Sequence, residues 1–316
     1  MTGGLDRPAA TAGAPPYTDP AVRESPALSR LRGIVSDLGS CVVALSGGLD
    51  STVLVEVAAA ELGERCLAVT ADSGALPTWD RDDASAAAAR ARTRGAHTRV
   101  IETHETEDPR YARNQRLRCY YCKAGLFGEL RAIADREGYR WVVDGTNASD
   151  LGTDDRPGVI AARHLGVRSP LAEAGLLKDG VRALARELGL ADPERPSSAC
   201  LASRIPFGSP ITDERLRRVE AAELAVRALG FRQVRVRDLG RVGRVEVDDE
   251  ELGRLLVAGG AVRDALALAG FPEVEIGAYR GHGAGRVVPG GPGSVVPDGA
   301  GTVTATSPAE AGRARA

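Results

Sequence analysis

Short apolar runs alternate with longer, mixed segments along the first half of the chain. Four of these runs have the length and the Val-rich composition of buried strands. They span residues 41–45, 66–71, 98–101 and 141–144. Segments of helical length lie between them, at 50–62, 78–94 and 123–137. Strands that alternate with helices predict βαβ units, so we expect an α/β fold with helices flanking a parallel sheet.

The pattern is less regular after residue 144. We expect a loop over 145–158, a short helix over 178–188 and a Pro- and Ser-rich loop over 192–210. Thr212 then has the features of an N-cap, because acidic residues follow it and open an amphipathic helix that ends at Gly230. The remaining segments predict a smaller α+β unit, with strands at 233–237, 242–247 and 273–276 and a helix at 250–270.

This pattern divides the chain into four parts. Residues 1–25 and 281–316 contain mostly small and polar residues with Gly and Pro, and we expect both tails to be disordered. The α/β unit occupies 26–205 and the smaller α+β unit occupies 206–280. The boundary between the two units lies in the loop near 200–210.

Composition excludes several classes of function. The 316 residues include 41 Lys and Arg against 43 Asp and Glu, a net charge of −2, which argues against a protein that grips a nucleic-acid backbone. No apolar run approaches the length of a membrane span, and the N-terminus lacks the pattern of a signal peptide. We therefore expect a cytoplasmic protein that binds neither nucleic acid nor membrane.

A glycine-containing turn connects the first strand to the first helix of the sheet. Its residues are Ser46, Gly47, Gly48, Leu49, Asp50, Ser51 and Thr52. Glycines let backbone N–H groups approach an anion, hydroxyls add donors, and the helix N-terminus adds a positive dipole end, so this loop predicts a phosphate site. Neither GxxxxGK[ST] nor GxGxxG is present. Asp50 either caps the helix or holds Mg²⁺ on the pyrophosphate.

Two further loops follow parallel strands and should lie at the same edge of the sheet. The first contains Asp72 and Ser73, and the second contains Gly145, Thr146 and Asn147. Taken alone, each is an ordinary turn at a strand end. Beside a phosphate loop, each becomes a candidate for nucleotide binding.

The five cysteines fall into two groups. Cys41 and Cys66 each open an apolar strand, and we expect small buried side chains there. Cys119 and Cys122 form a CxxC at a helix start, where the dipole and two flanking cations favour thiolate, and Cys200 lies in the Pro- and Ser-rich loop.

Several chemistries fit the second group of cysteines. Three thiolates could hold three irons of a cubane cluster and leave one iron open. Alternatively, the thiols could form a Cys₃His zinc site with His97, His104 or His164, a redox dithiol, or a structural pair without a ligand.

The segment SGGLDS at 46–51 resembles the PP-loop of the ATP pyrophosphatase superfamily. This resemblance implies that ATP is cleaved between the α- and β-phosphates and that a substrate oxygen is adenylated. It also implies that residues 46–52 and the loops after the second and fourth strands bind ATP.

Further motifs narrow the resemblance, namely DGTN at 144–147, RPG at 156–158, GVRSPL at 166–171 and PSSACLASRIPFG at 196–208. With them, the chain resembles the LarE-type ATP-dependent sulfur transferases over residues 25–280. That family implies pyridinium-3,5-biscarboxylic acid mononucleotide as the substrate and a thiocarboxylate of the nickel-pincer nucleotide cofactor as the product. It also implies a homo-oligomer, a hexamer, and other enzymes of the same cofactor pathway as partners.

The family resemblance implies two possible sources of sulfur. In some members the cysteine that matches Cys200 gives up its own sulfur. The presence of Cys119 and Cys122 makes this chain similar to the branch in which three cysteines hold a [4Fe–4S] cluster and its free iron carries sulfide.

A strand of the smaller unit carries Arg235 and Arg237 on one face, where two guanidiniums can grip a phosphate. The resemblance places the substrate phosphate there, with Ser203, Arg204 and Glu223 nearby. The alternative is a pair of solvated arginines on an edge strand.

Three other functions fit the sequence less well. A tRNA-thiolating PP-loop enzyme would need a basic surface, which the net charge opposes. An amide-forming synthetase would need a glutaminase domain and its N-terminal cysteine nucleophile, and a non-catalytic nucleotide-binding protein would leave the loop around Cys200 unexplained.

Overall fold

A parallel sheet forms the centre of the first unit. The computed structural model describes residues 24–151, 156–195 and 198–279, together with the backbone of 303–304. The sheet has the strand order β3-β2-β1-β4, and all neighbouring strands are parallel. Its strands are β1 (Cys41–Ala44), β2 (Cys66–Asp72), β3 (His97–Glu102) and β4 (Trp141–Val143). The predicted α/β fold is confirmed.

Helices cover both faces of this sheet because its Val-rich strands are apolar on both sides. Cys41 and Cys66, in register on β1 and β2, are fully buried as predicted. The helices of this unit are α1 (Pro26–Leu38), α2 (Leu49–Leu62), α3 (Thr78–Thr93), α4 (Pro109–Ala112), α5 (Arg118–Glu137), α6 (Pro157–His164), α7 (Pro170–Glu173) and α8 (Lys178–Glu187).

Four of these helices were not predicted from the sequence, namely α1, α4, α6 and α7. Helix α1 was not predicted, although Ser25 caps it by accepting a hydrogen bond from the Leu28 backbone N–H at 3.1 Å. Its leucines and Val35 are buried against the sheet. Helix α6 starts at Pro157, inside the segment that was expected to be a loop, because proline is favoured in the first turn of a helix.

The second unit packs two sheet-flanking helices and one long helix around a separate core. The order of its sheet is β5-β6-β7-β8, with β6 and β7 parallel and the outer pairs antiparallel. Its elements are α9 (Asp213–Ala228), β5 (Val234–Asp238), β6 (Val242–Val247), α10 (Asp249–Val257), α11 (Gly259–Leu268), β7 (Glu273–Ala278) and β8 (Val303–Thr304).

Thr212 is the N-cap of α9 as predicted, since its side chain accepts from the Arg215 N–H at 3.3 Å. The prediction of one helix over 250–270 is wrong. The chain forms two helices with a break at Ala258, where the following Gly259 and Gly260 weaken the helical conformation.

The described residues include the loop between the two units and a small part of the two tails. The loop near 200–210 contributes Leu201, Ala202 and Ile205 to the core of the second unit. Most of the two segments expected to be disordered lies outside the described residues, but 303–304 form β8. None of the helices in the described part of the chain is long and apolar enough to cross a membrane.

Candidate functional site

The phosphate loop runs from the end of β1 into α2, as the sequence predicts. The N-cap of α2 is Gly48, and no side chain caps the helix, so its first N–H groups face the loop without a side-chain partner. The hydroxyls of Ser51 and Thr52 donate to the Gly48 carbonyl at 2.9 and 3.0 Å, and the Ser46 hydroxyl lies 3.2 Å from that of Ser51. These bonds hold the loop in a shape that can receive an anion.

Two glycines of this region lie so close to neighbouring backbone atoms that a side chain would not fit there. A Cβ added at Gly47, whose φ is +79°, would lie 2.0 Å from the Asp80 carbonyl oxygen. A Cβ added at Gly145 would lie 2.8 Å from the Ser51 backbone nitrogen. The loop after β4 therefore packs directly on the phosphate loop.

Asp50 stands in the first turn of α2 but does not cap it. Its carboxylate accepts from the Asn147 side chain at 3.2 Å. Burial raises the pKa of Asp50, and this hydrogen bond opposes the rise. Mg²⁺ on a nucleotide needs only one or two protein carboxylates besides phosphate oxygens, so the position of Asp50 fits that role.

The remaining residues predicted to bind the nucleotide brace their own loops. Ser73 is buried and accepts from the Ala75 N–H at 3.0 Å, whereas Asp72 pairs with Arg81 at 2.9 Å on the surface. Thr146 donates to Asp144 at 2.7 Å. The structure therefore brings Gly145 and Asn147 onto the phosphate loop and leaves Asp72 paired elsewhere.

Arg195 also contacts the phosphate loop, which the sequence did not indicate. Its guanidinium donates to the Gly47 carbonyl at 2.5 Å, lies 3.3 Å from the Thr52 hydroxyl and pairs with Asp83 at 2.5 Å. The contact with Gly47 joins residues 148 positions apart. No motif carries that contact, so sequence reasoning had no signal for it.

The thiols of the CxxC and of Cys200 come from two segments that meet. Cys119 is exposed in the first turn of α5, Cys122 is half-buried one turn later, and Cys200 is exposed before the turn at 201–204. Cys122 packs against the same core as Leu201, the residue that follows Cys200, so the two segments lie side by side.

For Cys122, burial outweighs the effect of the flanking cation that was expected to favour thiolate. Burial raises the pKa of Cys122 to about 12, and the opposing effect of Lys123 is smaller. Although the Cys200 residue is exposed, the surrounding protein desolvates its thiol and raises its pKa, and Cys119 raises that pKa further. Without a ligand, the thiols of Cys122 and Cys200 are therefore protonated at neutral pH.

The potential metal ligands do not form a closed site. Over 24–151, 156–195 and 198–279, no three His, Cys, Asp or Glu side chains are arranged to hold a metal ion, and this includes the three thiols. His164 is bonded to the Tyr120 hydroxyl at 3.1 Å, and His97 lies in β3. The donor chemistry of three neighbouring thiols fits a cluster, whereas the side-chain positions are not those of a closed metal site.

Arg204 and Glu223 form a buried ion pair. The guanidinium donates to both carboxylate oxygens, at 2.7 and 3.0 Å, and the two side chains are 3% and 0% exposed. Glu223 also accepts from the Val236 N–H at 2.9 Å. The second arm of Arg204 donates to the carbonyls of Ala199 and Cys200 at 2.6 and 3.2 Å. This pair therefore connects the loop around Cys200 to α9 and β5.

The two arginines of β5 are not a solvated surface pair. Arg235 is 6% exposed, and its guanidinium lies 3.9 Å from the centre of the Tyr279 ring. Burial lowers the pKa of Arg235, and the positive charges of Arg204 and Arg237 lower it further. Arg237 pairs with Glu246 at 2.9 Å and donates to the Ser203 carbonyl at 2.9 Å. Arg235 thus lies near two guanidiniums that are each paired with a carboxylate, beside the loop that carries Cys200.

Similarity to known proteins agrees with this geometry. A family model described as asparagine synthase matches residues 34–116, which include the phosphate loop. The pyridinium-3,5-bisthiocarboxylic acid mononucleotide synthase of Lactiplantibacillus plantarum is 34% identical over 249 residues, 78% of this chain and 89% of that protein. An uncharacterised protein of Synechocystis sp. is 40% identical over 225 residues, 71% of this chain and 82% of that protein.

A third relative, an uncharacterised protein of Methanocaldococcus jannaschii, is 30% identical over 209 residues, 66% of this chain and 78% of that protein. The identity to the synthase of L. plantarum extends over 89% of that protein. The chain therefore belongs to the LarE-type family of PP-loop, ATP-dependent sulfur transferases.

Proposed function

We propose that this protein adenylates a carboxylate of pyridinium-3,5-biscarboxylic acid mononucleotide and converts it to a thiocarboxylate, with AMP and pyrophosphate as by-products. The observation that carries the proposal is the hydrogen bond from Arg204 to the Cys200 carbonyl, near the guanidiniums of Arg235 and Arg237. A thiol-bearing loop that is attached to an anion site suits a phosphorylated substrate whose reacting group must reach sulfur.

The residues of the phosphate loop support the first step. The substrate carboxylate attacks the α-phosphorus of ATP, the bond to the β-phosphate oxygen breaks, and pyrophosphate leaves. The uncapped N-terminus of α2 would stabilise the charge on the pyrophosphate, and Asp50 would hold the Mg²⁺ that accompanies it. ATP and Mg²⁺ are accordingly the proposed cofactors of this step.

The arginines of β5 support binding of the substrate phosphate. Arg235 has no carboxylate partner among the described residues, and Arg237 follows it on the same face of β5 and donates to the Ser203 carbonyl. Glu223 acts here by orienting Arg204 and not by touching the phosphate, since an anion would repel its carboxylate.

In the second step, sulfur displaces AMP from the acyl adenylate. Cys119, Cys122 and Cys200 would hold a [4Fe–4S] cluster, which supplies an open iron for sulfide when bound. This chain's own residues place the thiols together, with Cys200 fixed through its carbonyl by Arg204. The alternative source is the sulfur of Cys200 itself.

Further features of the proposal come from the family. We expect a homo-oligomer, specifically a hexamer, that works in the cytoplasm with other enzymes of the same cofactor pathway. It would bind a small nucleotide substrate and no nucleic acid.

The test of the first step is the identity of the ATP products. With substrate present, the wild-type protein should yield AMP and pyrophosphate, and Asp50→Asn should lower this rate at least about tenfold, because a charge-assisted contact to the metal is lost. Asp135→Asn is the matched control, since Asp135 is an exposed carboxylate near the end of α5 and is paired with Arg131. ADP and inorganic phosphate as products would contradict the proposal.

The source of sulfur is decided by counting turnovers and irons. A cluster requires about four irons per chain in anaerobically purified protein, together with broad visible absorption, both of which Cys119→Ala should abolish along with sulfur transfer. A sacrificial Cys200 instead gives one turnover per chain, a mass loss equal to H₂S and no effect of Cys119→Ala. Mass spectrometry and iron analysis of the same sample separate these outcomes.

A further inference from the structure

Arg118 is a buried cation at the start of the CxxC helix. Its residue is 7% exposed, and its guanidinium carbon lies 4.6 Å from the centre of the Phe207 ring. One terminal nitrogen donates to the side-chain oxygen of Asn114. Its Nε–H is buried and has no hydrogen-bond partner among the described residues.

This charge is not balanced in the way that the charge of Arg204 is. Arg204 has a bidentate partner in Glu223, whereas no carboxylate of the described residues pairs with Arg118. Removing a guanidinium from water without a counter-charge is costly, so such a group usually faces an anion. The acidic groups that feel its charge are the Cys200 thiol and the Tyr111 phenol, whose pKa values it lowers against the larger, opposite effect of burial.

Asn114 fixes Arg118 against the loop that follows Cys200. Asn114 is fully buried with a φ of +54°, and its carbonyl oxygen accepts from the Gly208 N–H at 3.0 Å. Its side-chain amide donates to three carbonyls of the same loop, those of Ile205, Pro206 and Ser209, at 3.2, 2.7 and 2.8 Å. Turning the guanidinium away to solvent would therefore break its hydrogen bond to an Asn114 side chain that this loop holds in place.

We propose that Arg118 binds the anionic sulfur, as hydrosulfide, at the site formed by Cys119, Cys122 and Cys200. This rests on the proposed sulfur transfer and adds to it a residue that holds the sulfur anion. Sulfide transfer to the acyl adenylate forms a C–S bond and breaks the C–O bond to AMP. AMP leaves with the bonding electrons of the broken C–O bond, the proton of hydrosulfide is released, and no atom changes its oxidation state. The anion needs a cation beside it until the electrophile arrives, and Arg118 supplies it.

The experiment measures hydrosulfide binding with and without catalysis, under anaerobic conditions. Arg118→Gln removes the charge, Arg118→Lys retains it, and Arg116→Gln is the matched control, an exposed arginine two positions away. We expect Arg118→Gln to raise KM for sulfide by roughly tenfold to a hundredfold with a smaller change in kcat. Arg118→Lys should lie between this variant and the wild type, and Arg116→Gln should match the wild type.

The binding readout requires no ATP and no substrate. Sodium sulfide should raise the melting temperature of the wild type and of Arg116→Gln, and this increase should be absent in Arg118→Gln. An equal increase in melting temperature, or an equal KM, in Arg118→Gln and the wild type would overturn the proposal. If the wild type instead makes no AMP with substrate, the proposed function fails, while the sulfide binding result still stands on its own.

A measurement on the wild type covers the case in which Arg118→Gln does not fold. Thiocyanate, a monovalent anion that contains sulfur, should compete with sulfide and raise its apparent KM. Thiourea, a neutral sulfur compound of similar size, should not. Equal effects of the two compounds would show that charge is not what the site recognises, against the proposal.

Discussion

At the scale of single residues, the same residue type has different roles according to its partner. Arg204 is paired with Glu223 and donates its remaining hydrogen bonds to the loop around Cys200, so its role is to position that loop. Arg235 and Arg118 are buried without a carboxylate partner among the described residues, so their charge is available to an anion. The sequence showed 41 basic residues and could not separate these roles, because the partners come from distant segments.

Glu223→Gln tests the structural role of the ion pair. Breaking a buried pair leaves Arg204 without a counter-charge, so we expect the free energy of unfolding to fall by about 3–5 kcal/mol. Arg241→Gln is the control, since the Arg241–Glu273 pair is 77% and 54% exposed and its loss should cost at most about 1 kcal/mol. Urea denaturation of both variants measures the difference. Equal, small losses of unfolding free energy in the two variants would indicate that Glu223 does not stabilise the fold and would favour a role for it in substrate binding.

At the scale of elements, the connection between β1 and α2 depends on one backbone conformation. Gly47 combines a positive φ with the close approach of the Asp80 carbonyl from α3, so two elements limit what can stand there. Gly39, at the end of α1, has a φ of +73° but no atom within 4 Å of an added Cβ. A side chain added at Gly39 would therefore cause backbone strain alone, whereas one added at Gly47 would also cause a steric clash.

Gly47→Ala should abolish binding of a non-hydrolysable ATP analogue and destabilise the protein strongly. Gly39→Ala carries only the strain of a left-handed residue, roughly 1–2 kcal/mol, and should bind the analogue normally. Calorimetry gives the affinity, and thermal unfolding gives the stability. If Gly47→Ala binds the analogue as tightly as Gly39→Ala does, the phosphate loop must adjust more freely than its packing on α3 implies.

The elements that the sequence predicted are those with a strong local pattern. The four strands and the cap at Thr212 follow from apolar runs and capping chemistry, which depend on neighbours in sequence. Helix α1 was missed because it begins directly after a segment of low complexity that obscured its apolar face. Contacts such as that of Arg195 with Gly47 depend on tertiary packing, which no local pattern records.

At the scale of the whole molecule, the charge balance bears on the choice between substrates. A tRNA-thiolating enzyme neutralises several phosphates and binds RNA with a strong dependence on salt. With a net charge of −2, we expect no retention of tRNA by this protein in a gel-shift assay at about 0.15 M salt. A wild-type complex that forms at submicromolar protein and dissociates steeply with salt would favour the tRNA-thiolating alternative.

The packing of the sulfur site has a consequence for how such enzymes can diversify. Leu201, Ala202 and Ile205 belong to the core of the second unit, and Tyr121 and Cys122 of the CxxC helix pack against that same core. The phosphate loop belongs to the first unit and its sheet. Replacing the second unit by a different domain would therefore remove the support of both thiol segments, while the parallel sheet and the turn between β1 and α2 would remain. Recombination at the boundary between the two units would yield enzymes that share an activation step but deliver a different nucleophile to the activated carbon.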